Sequence, residues 1–183
     1  QPLDEYREQR RGGQGKAAAA VKEEDLIQNL YVLSSHTQIL CFTTKGKVFW
    51  LKVYEIPVAS RTSKGRPLVN MLNLDDDESV SDILPVGEFS EDQFVFMATR
   101  NGTTKKTNLS LFSKKYKSGI KAINLDDDDR LIGTAITNGS QEILLASSSG
   151  KLIRFEEDQV RHMGRTARGV RGMKLKKDEK IIS

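Results

Sequence analysis

Gln9-Arg10-Arg11-Gly12-Gly13-Gln14-Gly15 sets two arginines beside three glycines, and weaker copies of this basic, glycine-centred stretch recur along the chain. Arg61, Lys64 and Arg66 flank Gly65; Lys114, Lys115, Lys117 and Lys121 flank Gly119; Arg165, Arg168 and Arg171 surround Gly169, with Lys174 just beyond. Gly15, Gly65, Gly119 and Gly169 are separated by 50, 54 and 50 residues. A repeat of about 50 residues is the mark of a radially repeated β architecture.

The segments between the glycines keep the same phase. After the glycine come short apolar stretches, Leu68-Val69-Asn70-Met71-Leu72 and Ile120-Lys121-Ala122-Ile123, which suit a strand. Ala17 to Ala20 favours helix by propensity, but its phase in the repeat predicts a strand there too. An acidic block follows: Glu23-Glu24-Asp25, Asp75-Asp76-Asp77-Glu78, Asp126-Asp127-Asp128-Asp129, and the weaker Asp178-Glu179. Consecutive acids point in different directions, whereas a calcium loop alternates its ligands, so the blocks read as solvated turns. Apolar runs at Ile27 to Leu33, Val80 to Val86 and Leu131 to Thr137 then read as buried strands.

A hairpin completes each later unit. Ile39 to Phe42 leads through Lys45-Gly46 to Val48–Leu51; Phe94 to Met97 leads through Asn101-Gly102 to Thr103; Ile143 to Ala146 leads through Ser149-Gly150 to Leu152–Phe155. A two-residue turn with glycine second predicts type I′ geometry, and Asn138-Gly139 offers another such turn. The fold expected is all-β and propeller-like, with blades of about four strands and at most four units, roughly 1–35, 36–88, 89–139 and 140–183. So small a sheet cannot bury both faces alone, so neighbours must stack. The runs at 39–42, 94–97 and 143–146 are expected as inner strands, with Trp50 and its aromatic neighbours as core.

Composition narrows the functional classes. Of the 183 residues 37% are hydrophobic and 30% charged, and a net charge of +4 permits a polyanionic partner without establishing one. Cys41 is the only cysteine, which excludes an internal disulfide and a multi-cysteine zinc site and points to a reducing, cytoplasmic setting. No apolar run approaches the roughly 20 residues of a membrane helix, so no membrane partner is expected. The chain opens at Gln1 rather than methionine, without signal-peptide features, and is expected to be a piece of a longer protein. His36 and His162 lack a nucleophile or metal partner at recognisable spacing, and no P-loop is present. No catalytic residue, metal or cofactor is expected in this stretch.

The Gln9–Gly15 stretch resembles the seven-residue box of the bacterial DNA gyrase A-subunit family, and the repeat pattern, through Met163-Gly164-Arg165-Thr166-Ala167-Arg168-Gly169-Val170-Arg171-Gly172, resembles that family's C-terminal DNA-wrapping domain. The resemblance implies a β-pinwheel, in which neighbouring blades exchange strands, with a basic rim that takes double-stranded DNA largely without regard to sequence. It places strand cleavage on a tyrosine in a separate N-terminal part, so Tyr6, Tyr31, Tyr54 and Tyr116 are not that nucleophile. It also puts ATP and Mg on other parts of the holoenzyme, and its implied partners are a gyrase B subunit plus a second A subunit. The box departs from the family at its sixth position, where Gln14 stands for a basic residue and Lys16 is near enough to supply the charge.

Repeated cations suit DNA because a duplex carries about one negative charge per 1.7 Å of its axis. A single patch binds without bending; a series with fixed rotation makes the duplex follow the surface. Gly12, Gly13 and Gly15 leave backbone amides open to phosphate, and Arg10 and Arg11 supply forked donors, with Gln9 beside them. The acidic turns are expected to face away from DNA, so that replacing Asp126 to Asp129 with Asn leaves wrapping intact. Two other readings stay open: the equivalent domain of topoisomerase IV, and a propeller-type scaffold for protein partners.

Overall fold

The computed structural model describes residues 1–15, 26–60 and 62–183. Lys16, Arg61, the strand expected over Ala17–Ala20 and the acidic block Glu23–Asp25 lie outside the described residues. Among the described residues every regular element is a β-strand or a short 3-10 turn.

The apolar runs form antiparallel hairpins, β1 (Gln38–Thr43) with β2 (Lys47–Lys52), β4 (Phe94–Thr99) with β5 (Thr103–Asn108), and β8 (Glu142–Ala146) with β9 (Leu152–Glu156). A hairpin leaves two edges of unpaired amides and carbonyls, and later segments of the chain fill them. β3 (Val80–Val86) and β6 (Ile120–Lys121) complete the first sheet in the order β3-β1-β2-β6. β7 (Leu131–Thr137) and β10 (Val170–Arg171) complete the second in the order β10-β5-β4-β7. The third hairpin is extended by the antiparallel bridge of Ser147 with Ile181. The fold is thus the expected all-β one, and the strands of one sequence unit are shared among sheets.

Strand alternation sets the layers. Leu40, Phe42 and Val48 of the first sheet pack with Val95, Met97, Leu109, Phe112, Ala122 and Leu131 in the layer between the first two sheets. Trp50 joins this layer and its Nε1 donates to Phe112 O at 2.7 Å, so it is a packing residue, as expected. Ile39, Cys41, Phe49 and Leu51 face the other way, onto Leu68, Met71, Leu72 and Leu74. Burial there pushes the Cys41 thiol up to about 12, which leaves it unreactive. Leu145, Met173 and Ile181 form the layer between the second and third sheets.

Ile27–Leu33, expected as a buried strand, forms none and is exposed through Val32, and β8, expected as an inner strand, stands in a two-stranded sheet with Leu144 exposed. Two further local expectations are corrected. The hairpin turns are not type I′, because only Gly46, Gly102 and Gly150 carry positive φ (72°, 88° and 78°) and Lys45, Asn101 and Ser149 do not. The glycine amides donate back to Thr43 O, Thr99 O and Ser147 O at 2.9, 3.1 and 2.9 Å, giving a type I turn closed by a left-handed glycine. Type I′ demands positive φ at both central residues, which Lys45 and Ser149 resist. Asn138-Gly139 is likewise no hairpin turn, since it joins β7 to β8 of a different sheet. Second, Leu68–Met71 is a 3-10 turn rather than a strand. Both edges of the first hairpin are already taken by β3 and β6, so this segment packs on the sheet face instead.

The turn glycines differ in how tightly they are covered, and that difference is testable. A Cβ on Gly102 would lie 2.8 Å from Met173 O, whereas one on Gly150 meets nothing within 4 Å. Both substitutions carry the left-handed penalty of about 1–2 kcal/mol. G102A is expected to lose roughly 1–3 kcal/mol more than G150A in urea unfolding, because backbone must move to admit the methyl.

Candidate nucleic-acid interface

The last acid of each described acidic block turns inward, against the expectation of a wholly solvated turn. Glu78 accepts from Thr43 Oγ1, and Lys47 Nζ donates to it at 3.2 Å. Asp129 Oδ1 accepts from Asn101 N at 2.9 Å and Arg130 N at 2.8 Å. Glu179 accepts from Ser147 Oγ at 2.6 Å and Lys176 N at 2.8 Å, and also from Ser149 Oγ. Each acid therefore clasps the hairpin turn that precedes it in its own unit, at Thr43–Gly46, Thr99–Gly102 and Ser147–Gly150. The hydroxyls of Thr43, Thr99 and Ser147 complete the clasp by accepting from Lys47 N, Thr103 N and Lys151 N. The outer acids of the Asp75–Glu78 block go to Lys45 and Lys47: Lys45 pairs with Asp77, and Lys47 Nζ lies 2.8 Å from Asp75.

This use of acids inside the fold leaves the basic segments elsewhere. The post-acid strands of the first two sheets touch each other: Ser81 Oγ donates to Leu131 O at 2.9 Å, and Thr134 N and Oγ1 donate to Asp82 Oδ2 at 2.8 and 3.0 Å. β3 and β7 thus lie where the sheets meet, and β6 and β10 lie at the opposite edge of each sheet. Lys121 pairs across to Lys47 and Arg171 to Thr103, equivalent places at the start of each hairpin's second strand. Gly119 sits over Phe49, where a Cβ would come within 2.7 Å of the ring, and Gly169 sits over the Thr104 carbonyl, where it would come within 2.5 Å. Glycine is required at both because the basic segment lies flat on the hairpin.

The two outer segments are also joined to each other. Asn124 N donates to Ala167 O at 3.2 Å, and Arg168 pairs with Asp126 across exposed surface. That pair corrects the expectation that the acidic turns stand clear of the basic segments. In this block Asp126 touches the next basic segment while Asp129 is buried.

The remaining sequence-derived residues divide by partner. Arg10, Arg11, Lys64, Arg66, Lys115, Lys117, Arg171 and Lys174 are exposed and have no ion-pair partner among the described residues. Lys114 Nζ lies 5.6 Å from the Tyr116 ring centroid, and Lys121 Nζ donates to Asn124 Oδ1 at 3.1 Å. Arg165 is half-buried. The box has an internal structure that the sequence reading missed. Gln9 Oε1 accepts from Gly15 N at 3.1 Å and Gly13 N donates to Arg10 O at 3.0 Å, so Gln9 closes the loop and these two amides are engaged within it. Gln1 Nε2 donates to Ser60 O at 3.3 Å, which ties the start of the chain to the residue just before the second basic segment.

Sequence reasoning also missed Lys105 and Lys106, adjacent in the polar run Thr103–Asn108 yet buried. Lys105 Nζ donates to Ala122 O at 2.6 Å and to Arg165 O. Desolvation by burial, with Arg165 the lesser cause, lowers its pKa to about 8. Lys106 Nζ donates to Glu157 O at 3.0 Å. The signal was phase: three residues beyond the turn glycine, Lys105 stands where Phe49 and Ile153 stand in the other hairpins.

Two measurements test the clasps and the surface pair. Hydrogen bonds from Lys176 N, Ser147 and Ser149 hold the Glu179 carboxyl near pKa 2, below its ordinary 4.5. Its stabilisation is therefore complete above pH 4.5 and lost as pH falls toward 2, so E179Q is expected to flatten that limb of the stability profile. D129A, which strands the Asn101 and Arg130 amides, is expected to cost about 1–3 kcal/mol. D126N is expected to leave the unfolding midpoint where it is, because its ion pair is exposed.

Comparison with known proteins agrees with this geometry. The family described as DNA gyrase C-terminal domain, beta-propeller, matches residues 1–34, 37–87, 93–138 and 141–183. The DNA gyrase A subunit of Salmonella typhimurium is 54% identical over 183 residues, which is 100% of this chain and 21% of that protein. Its counterpart in Escherichia coli K12 is 51% identical with the same coverage, so the chain spans about a fifth of these relatives. Among solved structures, the C-terminal domain of DNA topoisomerase IV superposes with a TM-score of 0.82 at 30% identity, over 91% of this chain and 52% of that one. A DNA gyrase A C-terminal domain superposes with a TM-score of 0.69 at 21% identity, over 99% of this chain and 58% of that one, a likeness of fold. With four matched segments that leave only short gaps, the chain belongs to the DNA gyrase C-terminal domain family.

Proposed function

We propose that this chain is a DNA-wrapping module: it bends duplex DNA along the outer edges of its blades, so that the longer protein, as a gyrase, introduces negative supercoils. The observation that carries this reading is the equivalent placing of the segments holding Lys115, Lys117 and Lys121 and those holding Arg168, Arg171 and Lys174. Both end in a strand on the outer edge of consecutive sheets, and they are joined at Asn124–Ala167. Arg10, Arg11, Lys64 and Arg66 extend the series, and Arg168 joins it when phosphate displaces Asp126. Smoothly bending a 20–30 base-pair site costs roughly 1–6 kcal/mol, which several phosphate contacts per blade can offset.

Contacts to phosphate carry no base information, so binding is expected to be nearly independent of sequence and steeply dependent on salt. The second A subunit, the B subunit, strand cleavage and ATP hydrolysis with Mg belong in this reading to other parts of a cytoplasmic holoenzyme. The likeness to a topoisomerase IV domain supports a second reading, in which the module binds DNA but wraps it weakly.

One experiment separates these. The longer protein is mixed with random-sequence duplex at about 50 and 200 mM salt, where several phosphate contacts predict a loss of affinity of about 10³-fold or more. A relaxed circle is then ligated in its presence. A salt-sensitive shift with a change in linking number is expected; a salt-sensitive shift without one favours the topoisomerase IV reading. Absence of any salt-dependent shift would leave a protein-binding scaffold and end the DNA reading.

A further inference from the structure

The two buried lysines of β5 sit side by side in sequence but, by strand alternation, serve opposite faces. Lys105 is fully buried, although hydrocarbon occupies the same place in the other hairpins, at Phe49 and Ile153. Filling space therefore does not account for it, and burying an ammonium group costs several kcal/mol unless it is bonded. What distinguishes the lysine is where its bonds go. Ala122 directly follows β6, the outer strand of the first sheet, and Arg165 precedes β10, the outer strand of the second. One ammonium group thus holds the carbonyls of both, beneath Gly169.

We propose that Lys105 is a positioning residue that fixes the spacing between the two consecutive basic edges, and so sets how sharply bound DNA is bent between them. This rests on the wrapping reading above. The bonds are internal to the protein, so they act on the free protein as well as on the complex. A hydrocarbon side chain at this position fills the volume but leaves the Ala122 and Arg165 carbonyls without their shared donor, and the two segments are then held mainly by Asn124–Ala167 and the exposed Arg168–Asp126 pair. Contacts within each segment stay intact. The loss should therefore fall on bending, which needs both edges in register, and little on affinity, which each edge supplies separately.

Lys106 provides the control. It is 5% exposed, and its bond to Glu157 O lies away from both basic segments. Full-length subunits carrying K105M or K106M, assembled into the holoenzyme, are compared with the parent by thermal unfolding, duplex affinity and the linking-number change on ligating a relaxed circle. The distance between probes attached at Ser118 and Thr166, both exposed, is measured without DNA. K105M is expected to lengthen or broaden that distance and to lower the linking-number change by about half or more, with duplex affinity within about threefold of the parent. K106M is expected to lower thermal stability to a similar extent and to leave distance and linking number at parental values.

A parental distance in K105M, a full linking-number change despite an altered distance, or equal effects of K105M and K106M overturns the assignment of Lys105. If K105M does not unfold cooperatively, K105I, which places here the hydrocarbon carried at the equivalent Ile153 and cannot donate, is judged by the same outcomes. A parent holoenzyme that leaves linking number unchanged overturns the wrapping reading, and the bend-setting role with it; the probe distance then still reports on whether Lys105 joins the two segments.

Discussion

The backbone of each hairpin turn cannot satisfy its own polar groups, and the way those groups are satisfied dictates how the blades are arranged. Thr44 N donates to Ser79 O at 2.9 Å, and Thr44 O accepts from Leu131 N at 3.1 Å. Arg100 repeats the pattern, donating to Arg130 O and accepting from Ile181 N, both at 2.8 Å. The carbonyl of Gly46 takes Ala122 N and Ile123 N, and that of Gly102 takes Gly172 N and Met173 N. Both turns are thus held by two later segments at once. A blade cannot rotate against its neighbour without breaking these bonds, which suits a structure whose proposed work depends on a fixed angle between blades.

The same economy governs charge. A net charge of +4 is small for a protein read as DNA-binding, yet the acids are not spread evenly over the surface. Glu78, Asp129 and Glu179 are consumed by the hairpin turns, and Asp75 and Asp77 by Lys45 and Lys47. Arg10, Arg11, Lys64, Arg66, Lys115, Lys117, Arg171 and Lys174 are left without an acidic partner among the described residues, so the basic segments keep these charges although the total is small. Asp126 is the exception, placed where it competes with phosphate for Arg168.

Buried lysines in a β-strand are costly, and this chain keeps two in succession. Lys106 and Glu157 form a network beneath the second sheet, with Thr137 donating to the same carboxylate. Lys105 has no acid partner among the described residues and relies on carbonyls, and its depressed pKa still leaves it largely charged at neutral pH. A buried cation under the basic edge adds to the field above it, an effect that a hydrocarbon at the same position cannot supply.

Much of this was legible in the chain itself. The recurrence of Gly15, Gly65, Gly119 and Gly169, the acidic blocks and the apolar runs gave the all-β repeat and its hairpins, because strand alternation and turn chemistry are local and leave a local trace. The basic segments were legible for the same reason: exposed cations need no partner to be recognised. Tertiary structure alone decided which strands share a sheet, since β6 and β10 reach back to the hairpin of the preceding unit. It alone turned one acid of each described block inward, made Leu68–Met71 a 3-10 turn and buried Lys105 and Lys106. Those outcomes depend on which edges are already occupied and which carbonyls lie within reach, quantities fixed by residues some 17 to 60 positions away for Lys105 and written nowhere in its own neighbourhood.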